Sequence, residues 1–260
     1  MSLLEIQGLT HSFGGLQALA DFTINLGERE FVGLIGPNGA GKTTVFNLVS
    51  GFYTPTEGSI TVGGVPTRGL KPHRITSLGI ARTFQNIRLW NNMSVLDNIR
   101  LARHYWLGYS LWDALWRTKR YARAEAGVDR SSWEMLELME LKPYASEFPK
   151  NLPYGLQRRV ELARALTIKP RLLLLDEPAA GLNSADVDGL IRVVDWIYRE
   201  FDLSVWMIEH QMKVVMALCE RITVLNFGMV IAQGSPGQIQ GNPEVIKAYL
   251  GNDVVCDVAC

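Results

Sequence analysis

The residues richest in chemistry form one short run, Gly36-Pro37-Asn38-Gly39-Ala40-Gly41-Lys42-Thr43-Thr44, with the pattern G-x-x-x-x-G-K-[ST]. Glycines at this spacing let the backbone curl until successive N–H groups point inward. A helix starting at the loop's end adds its positive dipole end, so the run is a cradle for phosphate. Lys42 is placed to reach the β- and γ-phosphates of a nucleoside triphosphate, and the Thr43 hydroxyl to ligate Mg²⁺. Much later, Asp176-Glu177 supplies the other half of the chemistry. Asp176 can hold the Mg²⁺ that Thr43 touches, while Glu177 can face the γ-phosphate and orient or deprotonate an attacking water.

The elements that must position these groups are legible around them. An apolar β-type run, 31–35, leads into the loop and a helical pattern, 44–49, leads out. Strand, glycine loop and helix is the setting in which the motif means triphosphate binding, against the alternative of a plain glycine-rich turn. Residues 172–175 are four leucines in a row, as expected of a strand covered on both faces, and they deliver Asp176 at the strand's end. A helix is expected over 184–201, with Val187, Leu190, Ile191, Val194, Ile197, Tyr198 and Phe201 on one face and Asp186 and Asp188 in the first turn. Residues 204–208 read as the next strand, leading into Glu209-His210, then a helix to Cys219 and a hairpin of 222–225 with 229–233. Near the start, 3–8 and 22–26 read as strands separated by a turn around Gly14-Gly15 that contains Phe13. Taken alone, Phe13 packs under that hairpin; stacking on an adenine is the alternative. Residues 59–62 read as a short strand, 73–79 as a short helix, and 81–84 as an extended segment that delivers Gln85.

From about residue 86 the character changes. A helix over 94–103 opens with the capping signal Ser94-x-x-Asp97. Trp106, Trp112 and Trp116 follow, then a basic stretch, 117–123, and a second helix over 132–141. Two readings of the tryptophans stay open: a surface close to a membrane, and a small helical core with a solvated charged face. The expected fold is α/β, a P-loop NTPase core with a mostly parallel sheet, an antiparallel β subdomain and an inserted α-helical subdomain. A single domain would span 1–250, with 1–85 and 151–250 forming the core, 86–150 the insert, and 251–260 a loose tail.

Composition narrows the function classes. The 26 basic and 26 acidic residues cancel, so no global field favours nucleic acid. The first residues lack a basic segment before an apolar stretch, so no signal peptide is expected. The apolar runs fall well short of the roughly 20 residues a bilayer needs. Cys219, Cys256 and Cys260 form no disulfide or zinc framework, and reduced thiols in a cytoplasmic setting are the expectation.

Taken in order, Gly36 to Thr44, Gln85, Leu152-Pro153-Tyr154-Gly155-Leu156-Gln157-Arg158-Arg159, Leu172 to Glu177, Ala180-Gly181-Leu182-Asn183 and His210 resemble the motifs of the nucleotide-binding subunits of ABC transporters. The resemblance covers residues 1–250. Within that family the chain is most similar to ATPase subunits of importers for branched-chain and other hydrophobic amino acids. The runs that carry this are Glu177-Pro178-Ala179-Ala180-Gly181-Leu182-Asn183, Arg82-Thr83-Phe84-Gln85 and the Tyr154-Gly155 pair.

The resemblance implies ATP and Mg²⁺ as cofactors, with Thr43, Gln85 and Asp176 as metal ligands and Lys42, Gln85, Glu177 and His210 as the catalytic group. Phe13 would stack on adenine, replacing the packing role, and His210 would hydrogen-bond the γ-phosphate. Gln85 would also sit in a loop that feels a transmembrane subunit. Pro153, Tyr154, Gly155 and Leu156 would bind the ATP of a partner subunit packed head to tail, where a helix beginning near Gly155 offers free N–H groups. The implied partners are transmembrane permease subunits, a second ATPase subunit, identical or not, and indirectly a solute-binding protein; nucleic acid is not among them. The implied place is the cytoplasmic face of the cell membrane, held through the permease.

Three positions depart from the family pattern: Pro153 replaces a common serine, Leu156 a glutamine, and Asn183 an aspartate. They point to a complete phosphate site coupled to a weakened signature surface, as in a heterodimer with unequal sites. Two other functions compete with transport. One is an ABC-type ATPase acting on DNA, ribosomes or cofactor assembly, against which 86–150 is too short for long coiled coils and the chain holds one such domain rather than two. The other is a nucleotide-binding regulator without turnover, disfavoured because Lys42, Asp176, Glu177 and His210 are all present.

Overall fold

Alternation in the first half and unbroken apolar runs in the second decide where the sheets form. The computed structural model describes residues 2–103 and 108–250. Trp106, Cys256, Cys260 and the expected tail at 251–260 lie outside the described residues. The chain begins with β1 (Ser2–Phe13), β2 (Leu16–Gly27), β3 (Phe31–Ile35), α1 (Lys42–Val49), β4 (Glu57–Val62), β5 (Val65–Pro66), α2 (Pro72–Ser77) and β6 (Ile80–Arg82). Four helices follow: α3 (Val95–Arg103), α4 (Leu111–Leu115), α5 (Lys119–Leu138) and α6 (Tyr154–Thr167). The remainder is β7 (Leu172–Asp176), α7 (Ser184–Glu200), β8 (Ser204–Ile208), α8 (Met212–Leu218), β9 (Arg221–Asn226), β10 (Met229–Gly234), α9 (Pro236–Gln240) and α10 (Pro243–Leu250). These elements fold into two compact units, one built from the chain up to Gln85 and again from Pro170, the other from Asn86–Lys169.

The first unit holds two sheets. An antiparallel sheet runs in the order β2-β1-β4-β5, and a six-stranded sheet in the order β10-β9-β3-β8-β7-β6. In the larger sheet every pairing is parallel except the hairpin of β9 with β10. All residues of β3, β7 and β8 are buried, as strands covered on both faces should be. Trp206 of β8 anchors this core, its ring 5.1 Å from Phe46 of α1 and 6.4 Å from Phe22 of β2. Helix α1 is thereby fixed against the sheet directly behind the glycine loop. This is the expected α/β architecture, with its parallel sheet, antiparallel part and helical insert.

The first strand pair is longer than the stretches 3–8 and 22–26. Bulges explain the shortfall: the register of β1 against β2 shifts between Ile6 and Leu9, between Leu9 and His11, and again at Ser12, so simple alternation ends near Gly8.

In the second unit the capped helix forms as expected, Ser94 Oγ accepting from Asp97 N at 3.1 Å and donating to its carboxylate at 2.7 Å. Helix α5 starts at Lys119, not at 132, because Thr118 caps it and the basic stretch forms its exposed first turns. Helix α6 also belongs to this unit, which extends to Lys169. Among the described residues no helix is long and apolar enough to cross a membrane.

Candidate active site

The glycine loop leaves β3 under tight steric limits. Gly36 has φ +151°, and a Cβ there would stand 2.0 Å from the Leu225 carbonyl oxygen of β9. At Gly41, with φ +103°, a Cβ would stand 2.6 Å from the Ala18 carbonyl oxygen of β2. Only hydrogen fits at either place. Lys42, the first residue of α1, folds back over the loop, its Nζ donating to Gly36 O at 2.6 Å and Pro37 O at 2.8 Å. Its stem is nearly buried, and this desolvation lowers its pKa below the usual lysine value, with Glu177 and Asp176 pulling the other way. Thr43 is exposed in the first helical turn.

At the same sheet edge, two strands over at the end of β7, lies the acidic pair. Asp176 ends β7 and pairs through Oδ2 with Arg82 Nη2 at 2.8 Å, both side chains only 6% exposed. Arg82 also donates to Asn47 Oδ1 of α1 at 2.8 Å, and its guanidinium carbon lies 5.0 Å from the centre of the Phe84 ring. The following residue, Glu177, has φ +44°, a left-handed conformation uncommon for a side chain of its size. Its backbone N–H is held by Ile208 O at 2.9 Å and its carboxylate accepts from Gln85 Nε2 at 2.6 Å. His210 Nδ1 lies 3.7 Å from the same Glu177 oxygen, with half of its side chain exposed.

Lys42, Gln85, Asp176, Glu177 and His210 therefore follow or end β3, β6, β7 and β8, four parallel neighbours whose carboxyl ends share one edge. Ligand sites of open α/β sheets form in the crevice outside that edge. Two further residues matter there that sequence reasoning passed over. Arg82 entered only as part of a family run, and no local pattern signals an ion pair to a residue so distant in the chain. Glu209 is fully buried and accepts from Ala179 N at 3.1 Å, His210 N at 2.9 Å and Gln211 N at 3.1 Å. It ties the segment after Glu177 to the segment carrying His210. A charged residue directly after a buried strand was its one visible signal.

Phe13 ends β1 instead of lying in the turn. Its ring meets His11 at 4.6 Å and Tyr53 at 5.2 Å, yet stays 43% exposed. It packs and still shows a face. Asn183 caps α7, accepting from Asp186 N at 2.9 Å while its amide donates to the Asp186 carboxylate at 2.7 Å. An aspartate there would set two carboxylates against each other, which gives the departure at 183 a structural reason.

The second unit carries the signature run. Pro153 stands at the N-cap of α6 with no side-chain cap, and its carbonyl accepts from the N–H groups of Leu156 and Gln157, both at 3.0 Å. Pro153, Tyr154 and Gly155 are exposed, and Leu156 is half-buried. Below them Arg158 and Glu161 form a buried ion pair.

The chain matches the ABC transporter family over residues 19–180, and a family described as the branched-chain amino acid ATP-binding cassette transporter over residues 229–255. The high-affinity branched-chain amino acid transport ATP-binding protein BraF of Pseudomonas aeruginosa is 43% identical over 249 residues, 96% of this chain and 98% of that protein. LivG of Escherichia coli (strain K12), described in the same words, is 43% identical over 251 residues, again 96% and 98%. Among solved structures, the ADP conformation of an ATP-binding cassette of an ABC transporter superposes with a TM-score of 0.83 at 27% identity, covering 96% of this chain and 99% of that one. A nucleotide-free cassette superposes with a TM-score of 0.82 at 26% identity, covering 96% and 100%.

Proposed function

This chain belongs to the ABC transporter family of ATP-binding proteins, and from that premise we propose that it hydrolyses MgATP to drive import of branched-chain or other hydrophobic amino acids. The match over 229–255 and the transport relatives favour this over an ATPase acting on DNA or ribosomes. The observation that carries the chemistry is the convergence on Glu177. Gln85 holds its carboxylate at 2.6 Å, and its charge and that of Asp176 act on the Lys42 ammonium in the phosphate loop.

The residues then divide the work. Backbone N–H groups within residues 38–44 cradle the phosphates. Lys42 keeps its loop carbonyls with two donors and offers the third to the β- and γ-phosphates. Glu177 accepts a hydrogen bond or a proton from the attacking water, and Gln85 keeps that carboxylate aimed. His210, whose Nδ1 side faces Glu177 and Glu209, offers Nε2 to the γ-phosphate. The donors at Thr43, Asp176 and Gln85 (Oε1, since Nε2 is engaged) are all hard oxygens and suit Mg²⁺, which would neutralise charge developing on the transferred phosphoryl group. Phe13 supplies an exposed ring for the base.

The exposed start of α6 supports a role for Pro153, Tyr154, Gly155 and Leu156 toward the ATP of a second ATPase subunit. The pairing we favour is with a non-identical subunit that has unequal sites, docked on permease subunits at the cytoplasmic face of the membrane, with a solute-binding protein upstream. The deciding experiment is Glu177→Gln. The amide can still accept from Gln85, so MgATP binding should stay within about twofold while turnover falls by roughly 10²–10⁴, the span of a lost general base. Turnover at the native rate would remove Glu177 from its role.

A further inference from the structure

For Trp112 and Trp116, two of the three tryptophans that the sequence left between two readings, exposure decides. Trp112 is 69% exposed and Trp116 72%, with Leu111 at 89% and Leu115 at 69%, so they form no small core. Leu111 and Leu115 are four apart, as are Trp112 and Trp116, so the two pairs make one continuous face of α4. The helix is held from its other side by polar contacts. Ser110 and Asp113 form a reciprocal capping box, and Thr118 Oγ1 donates to Asp113 at 3.0 Å. These contacts close α4 on its own flanks, its four large apolar side chains stand exposed, and an exposed patch of this kind marks an interaction site.

Its flank is basic. Residues 111–123 contain Arg117, Lys119, Arg120 and Arg123 against one acid, Asp113, in a chain whose charges balance overall. All four basic side chains are exposed. Arg120 bonds to the Gly108 carbonyl, while Arg117, Lys119 and Arg123 make no ion pair among the described residues.

We propose that α4 and its basic flank dock onto an anionic lipid surface. The tryptophans and leucines enter the boundary between headgroups and acyl chains, where the amphipathic indole ring is favoured, and the four basic residues lie at the level of the phosphates. The chemistry selects lipid over a protein partner. The patch is four side chains on and at the end of a five-residue helix, far below the roughly 20–30 residues a side of a stable protein interface. A field of anionic headgroups neutralises several unpaired cations at once without specific partners. This goes beyond the ATPase reading and does not depend on it, since every residue involved lies in the second unit.

The test is sedimentation of the full-length chain with vesicles of phosphatidylcholine alone or mixed equally with phosphatidylglycerol. The native chain should pellet with the mixed vesicles only, and less as salt rises. Each basic residue near such a surface contributes about fivefold, so Lys119→Glu with Arg123→Glu should weaken partitioning by at least roughly 20-fold. Trp112→Ser with Trp116→Ser should also abolish pelleting. Because these side chains are exposed, both variants should keep the native unfolding midpoint and ATP affinity. Absence of native pelleting with anionic vesicles, or native partitioning by either double variant, overturns the proposal. So does association seen only with vesicles that carry permease subunits, which would make the patch a protein contact.

Discussion

Replacing Arg82 with methionine tests how the first unit holds its acidic pair. The substitution keeps an apolar stem beside Phe46, Phe52 and Phe84 and removes the guanidinium that faces Asp176. The ion pair spans 2.8 Å with both side chains 6% exposed, so water and salt screen it little. Removing one member of such a pair costs about 3–5 kcal/mol, mostly because the other charge stays buried without its partner. Loss of the bond to Asn47 adds about 1 kcal/mol. Arg82→Met should therefore be destabilised by about 4–6 kcal/mol in urea unfolding at neutral pH, with an unchanged m-value. In the double variant Arg82→Met with Asp176→Asn no carboxylate is stranded. It should be more stable than the sum of the single changes allows, with a coupling of about 2–3 kcal/mol. Arg82→Met within about 1 kcal/mol of native, or strict additivity in the cycle, would refute the reasoning.

Three other outcomes follow from the site. Lys42→Ala should weaken ATP affinity roughly 10- to 100-fold by removing a charged donor to phosphate, read by titration calorimetry; unchanged affinity would contradict its placement over the loop. Burial, with the charges of Glu209 and Glu220, pushes the Cys219 thiol up from 9.0 to about 12. Over that window the unfolded chain has lost a proton the folded chain keeps, so stability present below pH 9 declines toward 12 at up to about 1.4 kcal/mol per pH unit. Cys219→Ala should flatten that decline in urea midpoints, and an unaltered slope would exclude the thiol as its source. Pro153→Ser should supply the hydroxyl cap that α6 lacks, stabilising the chain by about 1 kcal/mol, and should raise ATP turnover of the assembled transporter. An equal or lower rate would count against a weakened signature.

What could be read from the sequence follows the strength of local signals. The four leucines of β7 and the run from Ser204 to Ile208 fall where expected because buried parallel strands need no alternation to be seen. The glycine loop was legible because steric demands at Gly36 and Gly41 leave no other residue type. β1 and β2 were read short because bulges reverse the phase of alternation. The first half of α5 was missed because its buried positions, Val128, Ser132, Met135 and Leu136, sit toward its C-terminal end. α9 and α10, five and eight residues long, are shorter than the stretch over which helical periodicity can be read. The Arg82–Asp176 pair and the Glu209 clamp join residues far apart in the chain, and one-dimensional patterns carry no such information.

The departures at 153, 156 and 183 do not weigh equally once the structure is considered. Asn183 retains a full capping role for α7, and its amide meets Asp186 where a carboxylate would be repelled, so this change is compensated within the same unit. Pro153 is not compensated. It leaves α6 without a hydroxyl at the position from which one would cap the helix or meet a phosphate, while its neighbours Tyr154 and Gly155 stay exposed. Leu156 presents an apolar side chain one residue further on. Lys42, Gln85, Asp176, Glu177 and His210, by contrast, keep the polar groups that the proposed phosphate site calls on, and the first unit holds them at one sheet edge. On the proposed reading, the chain would keep the chemistry for its own nucleotide and thin what it lends to a partner's. Under head-to-tail pairing such a subunit gains most from a second, non-identical one with an intact signature, because the fully equipped site would then be built on this chain's own loop.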